Sequence, residues 1–281
     1  MEIWQAAVIA LVQGLTEFLP VSSSGHMVLA EAVLGVDTPG ATWEVAFHLG
    51  TLIAVLFIFR REAWDTCAGF LAGVSRILRG AKASAVWAET VGLRMGTYIL
   101  IGTIPIGLAG VALKNNIEAA FGNPLLVVGF IFLTGEMLWL SRPHGLLRRS
   151  GKLRASDAIA VGVAQAFALL PGLSRSGATI AAGLQRGVSR DEVARFSFLL
   201  AVPATLGACV LKHADLRSLP TSQLPAMGLG VAIAAVSGTL ALVVLLRVVR
   251  AGKLHLFAYY CWTVSVIGAV YLWGTHAAPS F

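Results

Sequence analysis

The sequence predicts an all-α polytopic membrane protein with six transmembrane helices and two re-entrant helical hairpins in an inverted-topology repeat. Of its 281 residues, 57% are hydrophobic and only 12% are charged, whereas soluble domains carry about 25% charged residues. The apolar segments are long and continuous, which is typical of membrane helices and excludes the period-two alternation of a membrane β-barrel. Two of these segments are interrupted by motifs rich in serine and glycine.

The predicted elements form one integral membrane domain over residues 1–281. A full span needs roughly 17–25 apolar residues. Six candidates follow in order: about 42–59, 95–113, 124–140, 195–211, 227–247 and 255–273. The two interrupted segments, about 3–36 and 156–186, are each expected to form two short helices that meet at a loop inside the membrane. Such a loop is tolerated only where it is buried in protein or lines an aqueous cavity.

The termini and cysteines add little to this prediction. The N-terminus has no basic residues before its apolar run, so we expect no cleaved signal peptide. Cys67, Cys209 and Cys261 are scattered and odd in number, which favours small core residues over a disulfide framework or a metal site.

Basic residues indicate the orientation. Most of the 21 Lys and Arg residues lie in four connecting regions, at about 60–94, 142–154, 186–195 and 247–253. Lys114, Lys212 and Arg217 lie on the opposite side. The positive-inside rule therefore places the first group in the cytoplasm. This distribution also accounts for the net charge of +7, so we expect membrane lipids and no nucleic acid as partners.

An internal duplication is the simplest account of the two interrupted segments. Both place a Gln nine residues before a Ser-X-Ser-Gly sequence, with a proline between them. Repeat unit one, about 1–142, and repeat unit two, about 156–273, each contain one hairpin and three spans. Because three is odd, the second unit is inserted upside down and the two hairpin tips can meet near the midplane, as in transporters with inverted repeats. The alternative is that two apolar sequences resemble each other by chance.

The first motif, Gln13 to His26, carries the groups that phosphoryl transfer requires. Gln13 and Glu17 are four residues apart and share one helix face. An ionisable side chain at membrane depth is costly and is a functional candidate by default, which singles out Glu17. Ser23 is the expected nucleophile, His26 the expected proton carrier, and Glu17 either orients the imidazole or holds a divalent cation. The alternative is a serine-rich helix cap. The further candidates for phosphate contact here are Gln13, Ser22, Ser24 and Gly25.

The second motif supplies the positive charge. Arg175 stays protonated, so at membrane depth it needs an anion. That anion is either Glu17, in a structural ion pair, or a substrate phosphate bound by the guanidinium fork. The surrounding candidates for phosphate binding are Ser174, Ser176, Gly177 and Thr179.

Together the two motifs resemble those of the undecaprenyl-diphosphatase family, also called the bacitracin-resistance family. The resemblance lies in Gln13–His26, in Pro171–Thr179 and in Phe196–Pro203, and it extends over essentially the whole chain. It implies catalytic positions at Glu17, the serines of the first motif, His26 and Arg175. It further implies hydrolysis of undecaprenyl diphosphate to undecaprenyl phosphate, which recycles the lipid carrier for peptidoglycan synthesis, at the outer face of the bacterial inner membrane.

The resemblance also implies a divalent cation, Mg²⁺ or Ca²⁺. Here Gln13 replaces a second carboxylate, so Glu17 is the expected metal contact. His48 stands where we expect Gln in the family's Leu-Gly-Thr segment. It either adds a second titrating group or packs.

Two functions remain open from the sequence. The first is a polyprenyl-diphosphate phosphatase, with Ser23 as nucleophile or with direct attack by water, for which His26 or Glu17 would be the base. The alternative is a secondary transporter or flippase for a lipid phosphate or another anion, which inverted repeats and a midplane arginine also suit. Small residues such as Gly107 and Gly110 permit a homodimer.

Overall fold

The computed structural model describes residues 2–34, 41–142, 151–211 and 220–277, apart from the side chains of 31–34, 41–42 and 275–277. Within these ranges the regular structure is helical, with a single isolated β-bridge between Gly151 and Val188. Residues 2–142 contain α1 (Ile3–Phe18), α2 (Ser23–Leu34), α3 (Ala41–Ile58), α4 (Arg60–Leu78), α5 (Ala83–Glu89), α6 (Val91–Ala112), α7 (Lys114–Phe121) and α8 (Pro124–Leu140). Residues 151–277 contain α9 (Ala155–Phe167), α10 (Arg175–Gln185), α11 (Arg190–Leu211), α12 (Leu224–Arg250) and α13 (Phe257–Ala277).

The helical membrane fold that the sequence predicts is confirmed. Each of the six predicted spans coincides with one helix: α3, α6, α8, α11, α12 and α13. In the described part of the chain, four helices are long and apolar enough to cross a membrane, and six are if each of two bent helix pairs counts as one span. Leu108, Val111 and Val270 are more than two-thirds exposed. Such apolar surface suits contact with lipid.

One region differs from the sequence prediction. The basic connection after the first span contains α4, which bends by 82° from α3, and the short α5. Arginines occur along α4, but Trp64 and Leu71 are largely exposed on it, so the helix is amphipathic. Gly69 packs directly on Gly92 at the start of α6, which fixes α4 against that span. Lys212, Arg217 and positions 143–150, on which the orientation argument also depended, lie outside the described residues.

Both interrupted segments are pairs of short helices, as predicted. At 1.5 Å per residue, the 16 residues of α1 and the 13 of α9 are about 24 Å and 20 Å long, which is less than the roughly 30 Å hydrocarbon core. The connecting residues 19–22 and 168–174 therefore turn back within the protein. We call them loop one and loop two. The boundaries of the two repeat units and their inverted insertion stay a prediction.

Small residues bring the helices around loop one close together. Gly14 of α1 contacts Ala234 and Ser237 of α12, and Gly50 of α3 lies against Val231 of the same helix. A methyl group at either glycine would overlap a neighbouring atom, so α12 can approach α1 and α3 only at glycine. This packing holds the end of α1, and with it Glu17, in a fixed position beside α3.

Candidate active site

Loop one begins where a proline ends α1. Leu19 has extended backbone angles, φ −61° and ψ 140°, as expected for a residue that precedes proline. Ser22 then adopts a left-handed conformation with φ 71°, and Ser23 begins α2. This turn redirects the chain within four residues and places the hydroxyl of Ser23 beside the carboxylate of Glu17, with 2.6 Å between Oγ and Oε2.

Loop two is held by α8. The hydroxyl of Thr134 donates to the carbonyl of Gly172 at 2.9 Å and accepts from the amide of Ser174 at 3.0 Å. Gly172 has φ 100°, and a Cβ at this position would lie 2.3 Å from the carbonyl oxygen of Val127. Thr134 is fully buried, so this one hydroxyl satisfies two backbone groups that lipid could not.

The loop of each motif packs against the helix start of the other motif. The amide of Gly172 donates to the hydroxyl of Ser24 at 3.4 Å. A Cβ on Gly25 would lie 3.2 Å from the Cα of Gly172, and one on Gly177 would lie 3.3 Å from the Cβ of Pro20. The glycines of both motifs thus permit the close approach of the loops, and the predicted convergence of the two motifs is what the structure shows.

Glu17 is the centre of the polar cluster that results. Its side chain is 4% exposed and forms an ion pair with Arg175. The same carboxylate accepts from Ser23 and, at 2.9 Å, from the Nε2 of Gln13. The Nε2 of His48 lies 3.4 Å from Oε2 of Glu17. Of the two anions considered for Arg175, the structure contains the carboxylate.

The two histidines lie in different surroundings from those that the sequence analysis considered. The imidazole beside Glu17 belongs to His48, whose Nδ1 donates to the carbonyl of Glu44 at 2.7 Å. The Nδ1 of His26 instead donates to the carbonyl of Ser22 at 2.8 Å, and its Nε2 lies 2.9 Å from the hydroxyl of Tyr260. The expectation that Glu17 orients His26 is therefore wrong for this structure, because α2 turns His26 toward α13.

The first serine of each motif has the same local role. The hydroxyl of Ser22 accepts from the amide of Gly25 at 3.2 Å, and that of Ser174 accepts from the amide of Gly177 at 3.1 Å. Ser174 is thereby the N-cap of α10. The similarity of the two motifs in sequence is thus matched in structure, since the first serine hydroxyl of each motif caps a helix.

The remaining candidates for phosphate binding differ in whether their hydroxyls already have hydrogen-bond partners within the protein. The hydroxyl of Thr179 is fully buried and bonded to that of Ser197, so it supports α10 against α11. Ser24 accepts from the amide of Gly172, as described above. Ser176 lines a pocket next to the ion pair. That these three residues and Gly25 contact a phosphate stays a prediction.

The pocket beside the ion pair is lined by polar and apolar residues together. The polar residues are Glu17, Thr51, Arg175, Ser176, Ser197 and Thr205. The apolar residues are Phe18, Leu52, Val55, Phe198 and Ala201. Within this lining, the Nη1 of Arg175 lies 3.3 Å from the hydroxyl of Thr205. This composition suits a ligand with an anionic head and an apolar tail.

The residues around Glu17 also suit a hard divalent cation. The Oε1 of Gln13 is buried and has no hydrogen-bond partner among the described residues. It lies on the same helix face as the Glu17 carboxylate, so the two provide an amide oxygen and a carboxylate, which are ligands of Mg²⁺ and Ca²⁺. In the described ranges, no group of three or more His, Cys, Asp and Glu side chains forms an all-protein cage. A cation here would need phosphate and water oxygens to complete its coordination.

Tyr260 and Thr134 were missed by the sequence analysis. Tyr260 lies 234 residues from the histidine that it contacts. Thr134 lies inside an apolar span with no motif around it. His48 was singled out as an unusual residue in a segment where Gln was expected, but its contact with Glu17 was not predicted.

Comparison with known proteins agrees with this geometry. The family model described as Bacitracin resistance protein BacA matches residues 6–267. An undecaprenyl-diphosphatase of Methanobrevibacter smithii is 41% identical over 269 residues, which cover 95% of this chain and 96% of the relative. Relatives with the same name in Desulforapulum autotrophicum and Salinibacter ruber are 38% and 40% identical, and each alignment covers 96% of this chain and 98% of the relative. The chain therefore belongs to the BacA family of bacitracin resistance proteins.

Proposed function

We propose that this protein is a membrane phosphatase that hydrolyses undecaprenyl diphosphate to undecaprenyl phosphate and inorganic phosphate, recycling the lipid carrier for cell-wall synthesis. One observation carries the proposal: the hydroxyl of Ser23 donates to the buried carboxylate of Glu17, which is itself paired with Arg175 of the second motif. A nucleophile, a proton acceptor and an anion-binding group are thus assembled in one place. The names of the relatives support the same substrate.

Binding begins with an exchange of anions at Arg175. The terminal phosphate of the substrate replaces Glu17 as the partner of the guanidinium, while the first part of the prenyl chain contacts apolar residues of the pocket such as Phe18 and Phe198. The guanidinium fork is suited to two phosphate oxygens at once. Backbone amides at the starts of α2 and α10 add partial positive charge near the same point.

In the transfer step, Glu17 is the proton acceptor and Ser23 the nucleophile. As Ser23 Oγ forms a bond to the terminal phosphorus, its proton moves to Glu17 Oε2, 2.6 Å away. The bond from that phosphorus to the bridging oxygen breaks, and undecaprenyl phosphate leaves with the electron pair of that bond. Water then attacks the phosphorus of the phosphoserine and the bond to Oγ breaks. Glu17 returns its proton to Ser23 Oγ, and inorganic phosphate departs with the protons of the water. Such a reaction depends mostly on positioning and electrostatic stabilisation.

A divalent cation, Mg²⁺ or Ca²⁺, belongs to the proposal. Glu17 and Gln13 Oε1 would hold it, and when bound it would offset charge on the phosphate oxygens. The unpartnered Oε1 of Gln13 supports this assignment.

We also propose that the site opens to the periplasmic side of the bacterial inner membrane. The concentration of arginine and lysine in the opposite connections supports this orientation. In a cysteine-free background, Lys114→Cys should react with an impermeant maleimide in intact cells, and Lys82→Cys should react only after lysis. The opposite labelling pattern would reverse the proposed orientation. Both native side chains are exposed, so accessibility within the protein is matched.

The test of function is phosphate release from undecaprenyl diphosphate by the purified full-length protein in detergent, with Mg²⁺ or Ca²⁺. Ser23→Ala should reduce release by at least about 100-fold, since it removes the attacking oxygen. The matched control is Ser75→Ala on α4, which should keep wild-type activity. Near-wild-type release by Ser23→Ala would eliminate the phosphoserine route in favour of direct attack by water. Absence of release by the wild type with either cation would favour the transporter or flippase.

A further inference from the structure

We propose that Tyr260, contributed by α13, is a positioning residue of this site that acts through His26. The inference rests on the proposed phosphatase function and assigns it a component from a part of the chain outside both motifs. It starts from the contact of the Tyr260 hydroxyl with Nε2 of His26 at 2.9 Å, in a pair whose rings also stack at 5.6 Å with an 11° angle between their planes.

The other ring nitrogen fixes the direction of this hydrogen bond. A backbone carbonyl can only accept, so Nδ1 of His26 carries the hydrogen that it shares with the carbonyl of Ser22 at 2.8 Å. In the neutral ring Nε2 is then the acceptor, and the Tyr260 hydroxyl is the donor. Tyr260 thus selects one tautomer of His26 and, through the stacked ring, one orientation.

This orientation matters because His26 holds the strained residue of loop one. The carbonyl of Ser22 accepts from both the amide and the Nδ1 of His26, at 3.1 Å and 2.8 Å. Ser22 has φ 71°, a conformation that side-chain-bearing residues rarely adopt and that must be stabilised by its surroundings. The next residue is Ser23, whose direction toward Glu17 follows from that turn.

A second contact from α13 reaches the same loop. The thiol of Cys261 is buried and lies 3.6 Å from the carbonyl of Pro20, at the other end of the turn. Of two consecutive residues of α13, Cys261 therefore contacts loop one directly and Tyr260 contacts the histidine bonded to it, which makes this helix a support for the loop. The neighbouring Tyr259 differs, because its ring packs edge-on against Trp139 and Trp262.

Tyr259 gives a matched control for the experiment. Tyr260→Phe removes one hydroxyl and keeps the stacked ring, and Tyr259→Phe makes the same change one residue away. With undecaprenyl diphosphate as substrate, Tyr260→Phe should lower kcat about fivefold to tenfold, the worth of one hydrogen bond, and leave KM unchanged. Tyr259→Phe should leave both constants at the wild-type values. Thermal unfolding of both variants checks that they fold.

A spectroscopic measurement reports on His26 without requiring activity. In protein labelled with ¹⁵N-histidine, the Nε2 resonance of His26, identified by its loss in His26→Gln, should shift in Tyr260→Phe and stay in place in Tyr259→Phe. An unchanged resonance would refute the hydrogen bond. Wild-type kcat in Tyr260→Phe, an effect on KM alone, or an equal loss in both variants would refute the positioning role. A wild-type protein that releases no phosphate would refute the proposed function itself, whatever Tyr260 does.

Discussion

The buried ion pair between Glu17 and Arg175 leads to a prediction in which a second substitution restores stability but not activity. Glu17→Gln keeps the size of the side chain and removes its charge, which leaves Arg175 without an anion at a side-chain exposure of 24%. Breaking a fully buried pair costs about 3–5 kcal/mol, and the partial exposure of the guanidinium reduces this to roughly 2–4 kcal/mol. For a chain of 281 residues that is a fall in Tm of about 3–7 °C. Activity should fall by at least about 100-fold, because Gln cannot take the proton of Ser23.

The double variant Glu17→Gln/Arg175→Gln removes both charges together. It should regain most of the lost Tm, because no uncompensated charge remains, yet stay inactive. The assay is thermal unfolding of the purified protein in detergent, followed by intrinsic fluorescence, with phosphate release measured on the same samples. Asp157→Asn is the control. Its partner Arg186 is 48% exposed, so water can replace the lost pair and the expected change in Tm is small, with activity retained.

Two results would contradict this reasoning. If Glu17→Gln unfolded at the wild-type temperature, Arg175 would have another anion or enough water, and the pair would not hold the loops together. If the losses of Tm in the single variants Glu17→Gln and Arg175→Gln simply added in the double variant, the two side chains would not be energetically coupled.

Two further predictions concern the support of loop two, and a third concerns a buried amide on α9. Gly172→Ala should lower Tm and activity, because Gly172 has a positive φ and a methyl group there would overlap a carbonyl of α8, whereas Gly129→Ala, which meets open space on α8, should be neutral. Thr134→Val should cost about 1–3 kcal/mol by leaving two buried backbone groups unpaired, while Thr103→Val, whose hydroxyl bonds only within its own helix, should cost much less. Gln165→Leu should keep or raise Tm, because both polar atoms of that buried amide lack partners among the described residues. Thermal unfolding checks all three, and a large destabilisation by Gln165→Leu would show that its amide is bonded.

The sequence predicts the parts of the site that depend on local spacing. Gln13 and Glu17 are four residues apart, so they share a helix face wherever α1 packs, and the structure shows them hydrogen-bonded. The prolines and serines of each motif end one short helix and begin the next. Glu17 was one of the two anions predicted to pair with Arg175, because a charge at membrane depth requires an opposite charge beside it.

The rest of the site depends on which helices pack together, and local patterns do not contain that information. Tyr260 lies beside His26 only because α13 packs along α8 and loop one. Thr134 is one of many hydroxyls that could bond within their own helix, and its role in loop two follows from tertiary contact. The helix α4 was missed because its arginines indicated a connecting loop, although its apolar residues form one exposed side.

The ion pair that joins the two motifs also orders the proposed reaction. While Nη2 of Arg175 is bonded to Glu17, the charge of the carboxylate is compensated and one arm of the guanidinium fork is engaged. A substrate phosphate that binds both arms of the fork therefore displaces Glu17, and that displacement leaves the carboxylate with Ser23, Gln13 and His48 as its neighbours. Proton transfer from Ser23 then coincides with the presence of the phosphorus that it attacks. In this mechanism a buried charge pair that stabilises the resting protein restricts activation of the nucleophile to the substrate-bound state.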